Sequence, residues 1–188
     1  MVNKKKSLKI IGGQHKGRIL EFEPTKDLRP TSHKARETLF NWLLRDIENS
    51  ICLDLFAGTG ALGIEALSRK AKSGTFLEKD KNNFLKLKKN VATLHLEAKS
   101  RVEMVNSLSW LKKQENILDF DILFIDPPFG YGLINKIYLI LAEQKLIKNG
   151  ALIYIEAEKN INLKEICHDW KEIKNKTSSQ TTYSLFVK

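Results

Sequence analysis

Two cysteines in 188 residues, Cys52 and Cys167, are too few for a disulfide framework, and they point to a reducing, cytoplasmic setting. Long apolar runs are missing. Stretches such as Asp121-Ile-Leu-Phe-Ile125 fall far short of the roughly 18 residues of a membrane span, so no membrane association is expected. The start, Met1-Val-Asn-Lys-Lys-Lys6, is basic but has no apolar segment behind it, which argues against a secretory signal. Histidine is scarce, with four in the chain, and Cys167-His168 has no partners at zinc spacing, so no metal site is expected. No Ser/His/Asp arrangement suggests a hydrolase. Cys52 lies in an apolar strand with no base indicated, which favours a small buried residue over a nucleophile. Hydrophobic residues at 42% and charged residues at 29% are enough for a single cored domain and exclude wholesale disorder.

Charge is abundant and uneven. The formal net charge is +10, and residues 1–36 hold 10 basic against 3 acidic side chains. A basic amino-terminal arm with interleaved glycines suits a polyanionic partner, most often nucleic acid. The scattered lysines elsewhere read as solvated surface.

Along the chain, residues 1–7 read as a basic tail, and residues 8–23 as two short strands around a Gly/Gln/Lys-rich turn. Pro24 and Pro30 make residues 24–30 a loop. From Thr31 or Ser32, both good N-caps, a helix is predicted to about Arg45, with Ala35, Leu39, Trp42, Leu43 and Ile47 on one face. Strands then alternate with helices. Strands are predicted at 51–56, 75–78, 101–105, 120–125 and 151–156, and helices at 61–70, 81–94, 107–113 and 133–144. A helical turn at 163–166 and two closing strands at 170–174 and 181–188 complete the pattern. This alternation implies an α/β, Rossmann-like, mostly parallel seven-stranded sheet with a carboxyl-terminal antiparallel hairpin. The predicted division is a tail and small hairpin over 1–31, contacting RNA, and a main domain over 32–188.

Asp54-Leu-Phe-Ala-Gly-Thr-Gly-Ala-Leu-Gly63 sits between a strand and a helix, where glycines admit a ligand to the helix N-terminus. Gly58, Gly60 and Gly63 satisfy the dinucleotide fingerprint, and Glu78 follows 20 residues after Gly58 at a strand end, where it can hold ribose hydroxyls. An NAD(P)-dependent oxidoreductase is therefore one reading. Asp54 inside the strand end argues for another, because Asp54-x-Phe56-x-Gly58-x-Gly60 resembles the first motif of class I methyltransferases, which bind S-adenosylmethionine.

Asp126-Pro127-Pro128-Phe129 directly follows the fourth of the predicted parallel strands. The prolines end the strand and hold a rigid, open backbone at the edge where open α/β sheets bind ligands. The Asp126 carboxylate and the Pro127 carbonyl can each accept one hydrogen of an exocyclic amino group, aiming its nitrogen at a methyl donor, while Phe129 stacks on the base. Such a base is flipped out or already unpaired.

Together these segments resemble the bacterial 16S ribosomal RNA guanine-N2 methyltransferase family, which makes N2-methylguanine at position 966 in the standard rRNA numbering. The resemblance covers residues 8–188 and rests on six segments. These are Ile10-Ile-Gly-Gly-Gln-His-Lys-Gly-Arg18, Leu28-Arg-Pro-Thr31, Arg36-Glu-Thr-Leu-Phe-Asn-Trp42, the Asp54 to Arg69 stretch, Leu77-Glu-Lys-Asp80 and Asp126-Pro-Pro-Phe129. It implies S-adenosylmethionine as cofactor and 16S rRNA within the small ribosomal subunit as partner; nothing in the sequence suggests an obligate dimer, so a monomer is expected. Carried over by position, Asp54, Phe56, Ala57, Gly58, Thr59 and Gly60 line the cofactor. Glu78, beside Lys79, holds its ribose, and Asn106 and Ser107 face its adenine. Thr31 and Arg36 close the pocket from the amino-terminal side, and Gly12, Gly13, Lys16, Gly17, Arg18 and Arg29 meet RNA. Methylation of another amino acceptor (a DNA base, another RNA, a protein glutamine) and a non-catalytic RNA-binding factor on the same fold are the other readings at this point.

Overall fold

The computed structural model describes residues 6–22 and 31–188. The expected loop at 24–30, with the RNA-contact residue Arg29, lies outside the described residues.

The amino-terminal hairpin pairs β1 (Lys6–Lys9) antiparallel with β2 (Ile19–Phe22), with Leu8 opposite Leu20. The strand thus begins inside the expected tail, at Lys6. After Ser32, whose hydroxyl caps the Ala35 N–H at 3.1 Å, α1 spans His33–Trp42. It ends three residues before the predicted Arg45, because the chain turns at Leu43, whose carbonyl accepts both the Asp46 and Ile47 amides.

The main sheet contains β3 (Ile51–Asp54), β4 (Ser73–Glu78), β5 (Ser100–Met104), β6 (Ile122–Ile125), β7 (Leu152–Glu158), β8 (Lys171–Thr177) and β9 (Thr181–Val187). The connecting helices are α2 (Ala61–Ser68), α3 (Lys81–Thr93), α4 (Ser107–Leu111), α5 (Leu133–Glu143) and the turn-length α6 (Leu163–Ile166). A 3-10 turn at Glu97–Lys99, for which no periodicity spoke, precedes β5.

Strand order is β5-β4-β3-β6-β7-β9-β8, with β5 through β7 parallel and β9 and β8 antiparallel. This is the expected Rossmann-like sheet with its closing hairpin. Residue alternation divides the core. Cys52, Phe76, Phe124 and Tyr154 pack with α1, α2 and α3 on one face. Leu53, Leu123, Ile125, Ile153 and Ile155 pack with α5 on the other. β6 is buried along its whole length, as a central parallel strand must be. The order reverses between β3 and β6, since the chain runs outward through β4 and β5 and then returns. A crevice opens at such a switch point, beyond the carboxyl ends of the two strands.

The hairpin is bolted to α2 by one carboxylate. Glu65 is 0% exposed and accepts the Ile11 amide at 2.7 Å, the Gly12 amide at 2.8 Å and the Arg69 Nε at 2.8 Å. The Ser68 hydroxyl donates to the Gly12 carbonyl, and the Gln14 amide donates to the Ser68 carbonyl. Gly13 sits at φ +75° where a Cβ would run into the Ser68 backbone carbonyl, so both its conformation and its neighbour exclude a side chain.

Candidate functional site

A cleft of about 560 Å³ occupies the switch point, between the loop after β3 and the loop after β6. Its two walls begin level with one another, because Asp54 of β3 is in register with Phe124 of β6, two residues before Asp126.

Asp54 ends β3 with its carboxylate turned under the glycine loop. Its Oδ1 accepts the Phe56 amide at 3.3 Å and its Oδ2 the Gly63 amide at 3.3 Å. Burial pushes this carboxyl up to about 7, with the nearby Asp126 charge adding to the effect. The Gly63 amide belongs to the first turn of α2, so an internal carboxylate occupies part of the anion-binding end of that helix. Gly58, in left-handed conformation at φ 49°, donates its amide to Glu78 Oε2 at 2.8 Å. The other Glu78 oxygen accepts the Asp80 amide at 2.7 Å. Burial also raises the Glu78 carboxyl above the usual carboxylate range. Loop and strand end are thus tied to each other through Glu78.

On the far wall, the Thr31 hydroxyl donates to Asp126 Oδ2 at 2.6 Å, joining the chain just before α1 to the Asp-Pro-Pro-Phe turn. Behind Phe129, the Gly130 amide donates to Glu158 Oε1 at 2.6 Å, which fastens the turn to the end of β7. Gly130 and Gly132 are both left-handed, at φ 84° and 59°, and let the chain reverse into α5. Pro127 is buried, while Pro128 and Phe129 are half-buried against the cleft.

The structure brings most of the sequence-predicted residues to this cleft: Thr31, Asp54, Phe56, Ala57, Gly58, Thr59, Glu78, Lys79, Asn106, Ser107 and the whole of Asp126 to Phe129. The Asn106 carboxamide oxygen caps α4 by accepting the Ser109 amide at 3.1 Å. The Ser107 hydroxyl donates to the Leu55 carbonyl, locking α4 against the end of β3.

Two predicted cofactor residues stand elsewhere. Gly60 is the N-cap of α2 and faces Leu87 and Ile64, so its glycine serves packing. Arg36 is 2% exposed, donates to the Lys9 carbonyl at 3.0 Å and lies 3.8 Å from Glu65. It joins α1 to the hairpin and α2 and does not line the cleft. Gly12 and Gly13, read as RNA-facing, pack against α2, Gly12 half-buried and Gly13 exposed. Lys16, Gly17 and Arg18 are exposed at the hairpin tip, with Arg18 reaching the Thr93 carbonyl at 3.5 Å. Cleft residues that the sequence reading missed include Tyr131, Lys136 and Glu156.

Among the described residues the cleft lining is acidic, with five carboxylates (Asp54, Glu78, Asp80, Asp126 and Glu156) against two ammonium groups (Lys79 and Lys136). Such a lining attracts cationic groups and repels a pyrophosphate. The two cysteines contribute no nucleophile. Burial pushes both thiols up to about 12, which leaves them neutral near pH 7.

Comparison with known proteins agrees with this geometry. The chain is 44% identical over 186 residues to the Ribosomal RNA small subunit methyltransferase D of Buchnera aphidicola subsp. Acyrthosiphon pisum (strain APS), covering 98% of this chain and 95% of that one. It is 40% identical over 179 residues to the protein of the same name from Escherichia coli (strain K12), covering 95% and 89%. The solved structure of yhhF from Escherichia coli superposes with a TM-score of 0.85 at 39% identity, covering 97% of this chain and 98% of that one. With residues 8–187 matching its family model, and its sheet, switch-point cleft and two loops in place, the chain belongs to the family described as Conserved hypothetical protein 95 and has the Rossmann-like methyltransferase fold.

Proposed function

We propose that the protein transfers a methyl group from S-adenosylmethionine to the exocyclic N2 of a guanine in 16S rRNA of the small ribosomal subunit, at position 966 in the standard rRNA numbering. The observation that carries this reading is the meeting of the β3 glycine loop and the Asp-Pro-Pro-Phe turn across one acidic cleft. The names of the full-length relatives support methylation of small-subunit rRNA. The choice of guanine N2 at that position rests on the family resemblance.

The residues present fit this cofactor. S-adenosylmethionine, when bound, supplies an electrophilic methyl carbon on a sulfonium and carries an ammonium as well. Asp54 and Asp126 place negative charge where those cations can be held, and Glu78 at the β4 end suits ribose hydroxyls. A dinucleotide fits less well, because its pyrophosphate would meet this carboxylate lining and an α2 N-terminus already engaged by Asp54. In the proposed reaction Asp126 and the Pro127 carbonyl accept the two amino hydrogens, turning the nitrogen lone pair toward the methyl carbon. Phe129 stacks on the flipped base, and Asp126 is placed to take the proton the amino group sheds. Positioning supplies much of the rate, and the carboxylate offsets positive charge growing on nitrogen. The exposed Lys16 and Arg18 of the hairpin tip contact RNA phosphates, and Arg29 joins them in this proposal.

Two measurements test the reading. Calorimetry should show S-adenosylhomocysteine binding and no NADH binding. Mass spectrometry of 16S rRNA from a strain lacking the protein should show one missing N2-methylguanine. Binding of NADH alone, or an intact methylation pattern, overturns it.

A pH dependence follows from Asp54. Its folded pKa of about 7 lies above the ordinary 3.8, so the folded state holds this proton more tightly than the unfolded chain. The Asp54 contribution to stability therefore falls as pH rises from about 4 to about 7 and is level above that. A cationic ligand favours the ionised carboxylate. Affinity for S-adenosylmethionine should rise by up to about tenfold per pH unit below pH 7, with proton release on binding. Titrations at pH 6 in buffers of different ionisation enthalpy read the released proton, and Asp54→Asn should remove it. Proton release persisting in that variant would place the titrating group elsewhere.

A further inference from the structure

Glu156 is a buried carboxylate in the cleft to which neither cofactor binding nor the amino-group chemistry assigns a part. Its position is set by strand register. β6 and β7 are parallel neighbours with Ile125 level with Ile155, so Asp126 and Glu156 stand side by side one residue further on. Adjacent strands lie about 4.8 Å apart. Alternation turns both residues toward the face that holds Phe124 and Tyr154, and both line the cleft. Glu156 is inside β7, between β6 and β9, where it pairs with Tyr183. It is 8% exposed, and the hydroxyl of the fully buried Tyr154 donates to its Oε2 at 3.1 Å, fixing its orientation. Asp126, half-buried, and Glu156, buried, thus set two carboxylates side by side along the cleft wall, where the neighbouring hydrogen-bond donors of one ligand edge can meet both.

The chemistry of the purine edge identifies that use. In a purine with an amino group at C2, ring atom N1 is the adjacent position. In guanine N1 carries a hydrogen, whereas in 2-aminopurine and adenine it presents a lone pair. With Asp126 on one N2 hydrogen, an acceptor one strand away along the edge meets N1. A carboxylate there accepts N1–H and repels an N1 lone pair, and a carboxylate accepts from more than one donor, so the Tyr154 bond is compatible with this.

We infer that Glu156 accepts the N1–H of the target guanine and is the residue that selects guanine over purines whose N1 carries no hydrogen. Tyr154 is a positioning residue that holds it. The inference rests on the amino-methyltransferase reading above and names which base edge the site accepts.

The test uses small subunits reconstituted with 16S rRNA carrying either guanine or 2-aminopurine at the target position. Both bases offer the amino group, and only guanine offers N1–H. The wild-type protein should favour guanine at least about tenfold in kcat/KM. Glu156→Gln should lower kcat/KM on guanine by roughly 10- to 100-fold without lowering it on 2-aminopurine, so that the preference collapses. Tyr154→Phe, which removes one hydroxyl, should shift the preference in the same direction by less. Both variants should keep wild-type affinity for S-adenosylhomocysteine, read by calorimetry. Equal losses on the two bases would mark Glu156 as structural and overturn the inference, as would an unchanged rate on guanine. A wild-type protein that methylates neither RNA would overturn the methyltransferase reading itself, a result distinct from either of these.

Discussion

Asp126→Ala is expected to lower methyl transfer to the small subunit by roughly 10²- to 10³-fold or more, while affinity for S-adenosylhomocysteine stays within about tenfold. The asymmetry follows from where the residue stands. Asp126 is on the β6 wall, held by the Thr31 hydroxyl at 2.6 Å, whereas Glu78, proposed to hold the ribose, and the glycine loop belong to β4 and β3. Removing Asp126 takes away the acceptor proposed to orient the amino nitrogen and balance its growing charge, and leaves the β3 loop intact. Loss of Asp126 also relieves its charge effect on Asp54, so the rise of ligand affinity with pH should shift to lower pH in the variant. Single-turnover rates on subunits from a strain lacking the protein, together with calorimetry, separate the two effects. Persistent methylation in Asp126→Ala would show that amino orientation comes from elsewhere.

The second large effect lies away from the chemistry. Glu65→Ala should destabilise the protein by about 3–5 kcal/mol, a fall in Tm of roughly 6–20 °C for a chain of this size. The substitution strands Arg36, whose side chain is 3% exposed and whose charge is already disfavoured by burial. It also removes the acceptor for the Ile11 and Gly12 amides. Glu65→Gln keeps an acceptor and loses the charge, so it should fall between the two. Because the hairpin carries Lys16 and Arg18, its release from α2 should weaken subunit binding and spare affinity for S-adenosylhomocysteine. Thermal unfolding and subunit binding check this directly. Wild-type values for both in Glu65→Ala would mean that the hairpin is held by other contacts.

Much of the fold was legible because its signals are local. The apolar run Ile122–Ile125 followed by Pro127 and Pro128 needs no distant partner to be read as a strand that stops at a rim. Asp54, Gly58 and Glu78 were found by spacing, since a strand–turn–helix unit places each at a strand end or in the turn. What escaped depended on tertiary neighbours. An arginine at position 36 gives no hint that its partner is Glu65, 29 residues on, and the resemblance placed it at the pocket. A signal for Glu65 was nevertheless present, as the lone charge in Ala61–Ser68, a helix buried at every position. Gly12 and Gly13 were read from the resemblance as meeting RNA, and their packing against the Ser68 backbone and the Arg69 side chain of this same chain gave no local signal. Glu156 was hidden inside a predicted strand, and only the register of β7 against β6 sets it beside Asp126.

The most direct test of the central claim is methyl transfer with the purified protein, labelled S-adenosylmethionine and small subunits from a strain lacking it, followed by nuclease digestion and mass spectrometry of the labelled fragment. The account predicts one labelled nucleoside, N2-methylguanine, in one 16S rRNA fragment. Label on a ring nitrogen, on another base or on ribosomal protein, or none at all, would contradict it.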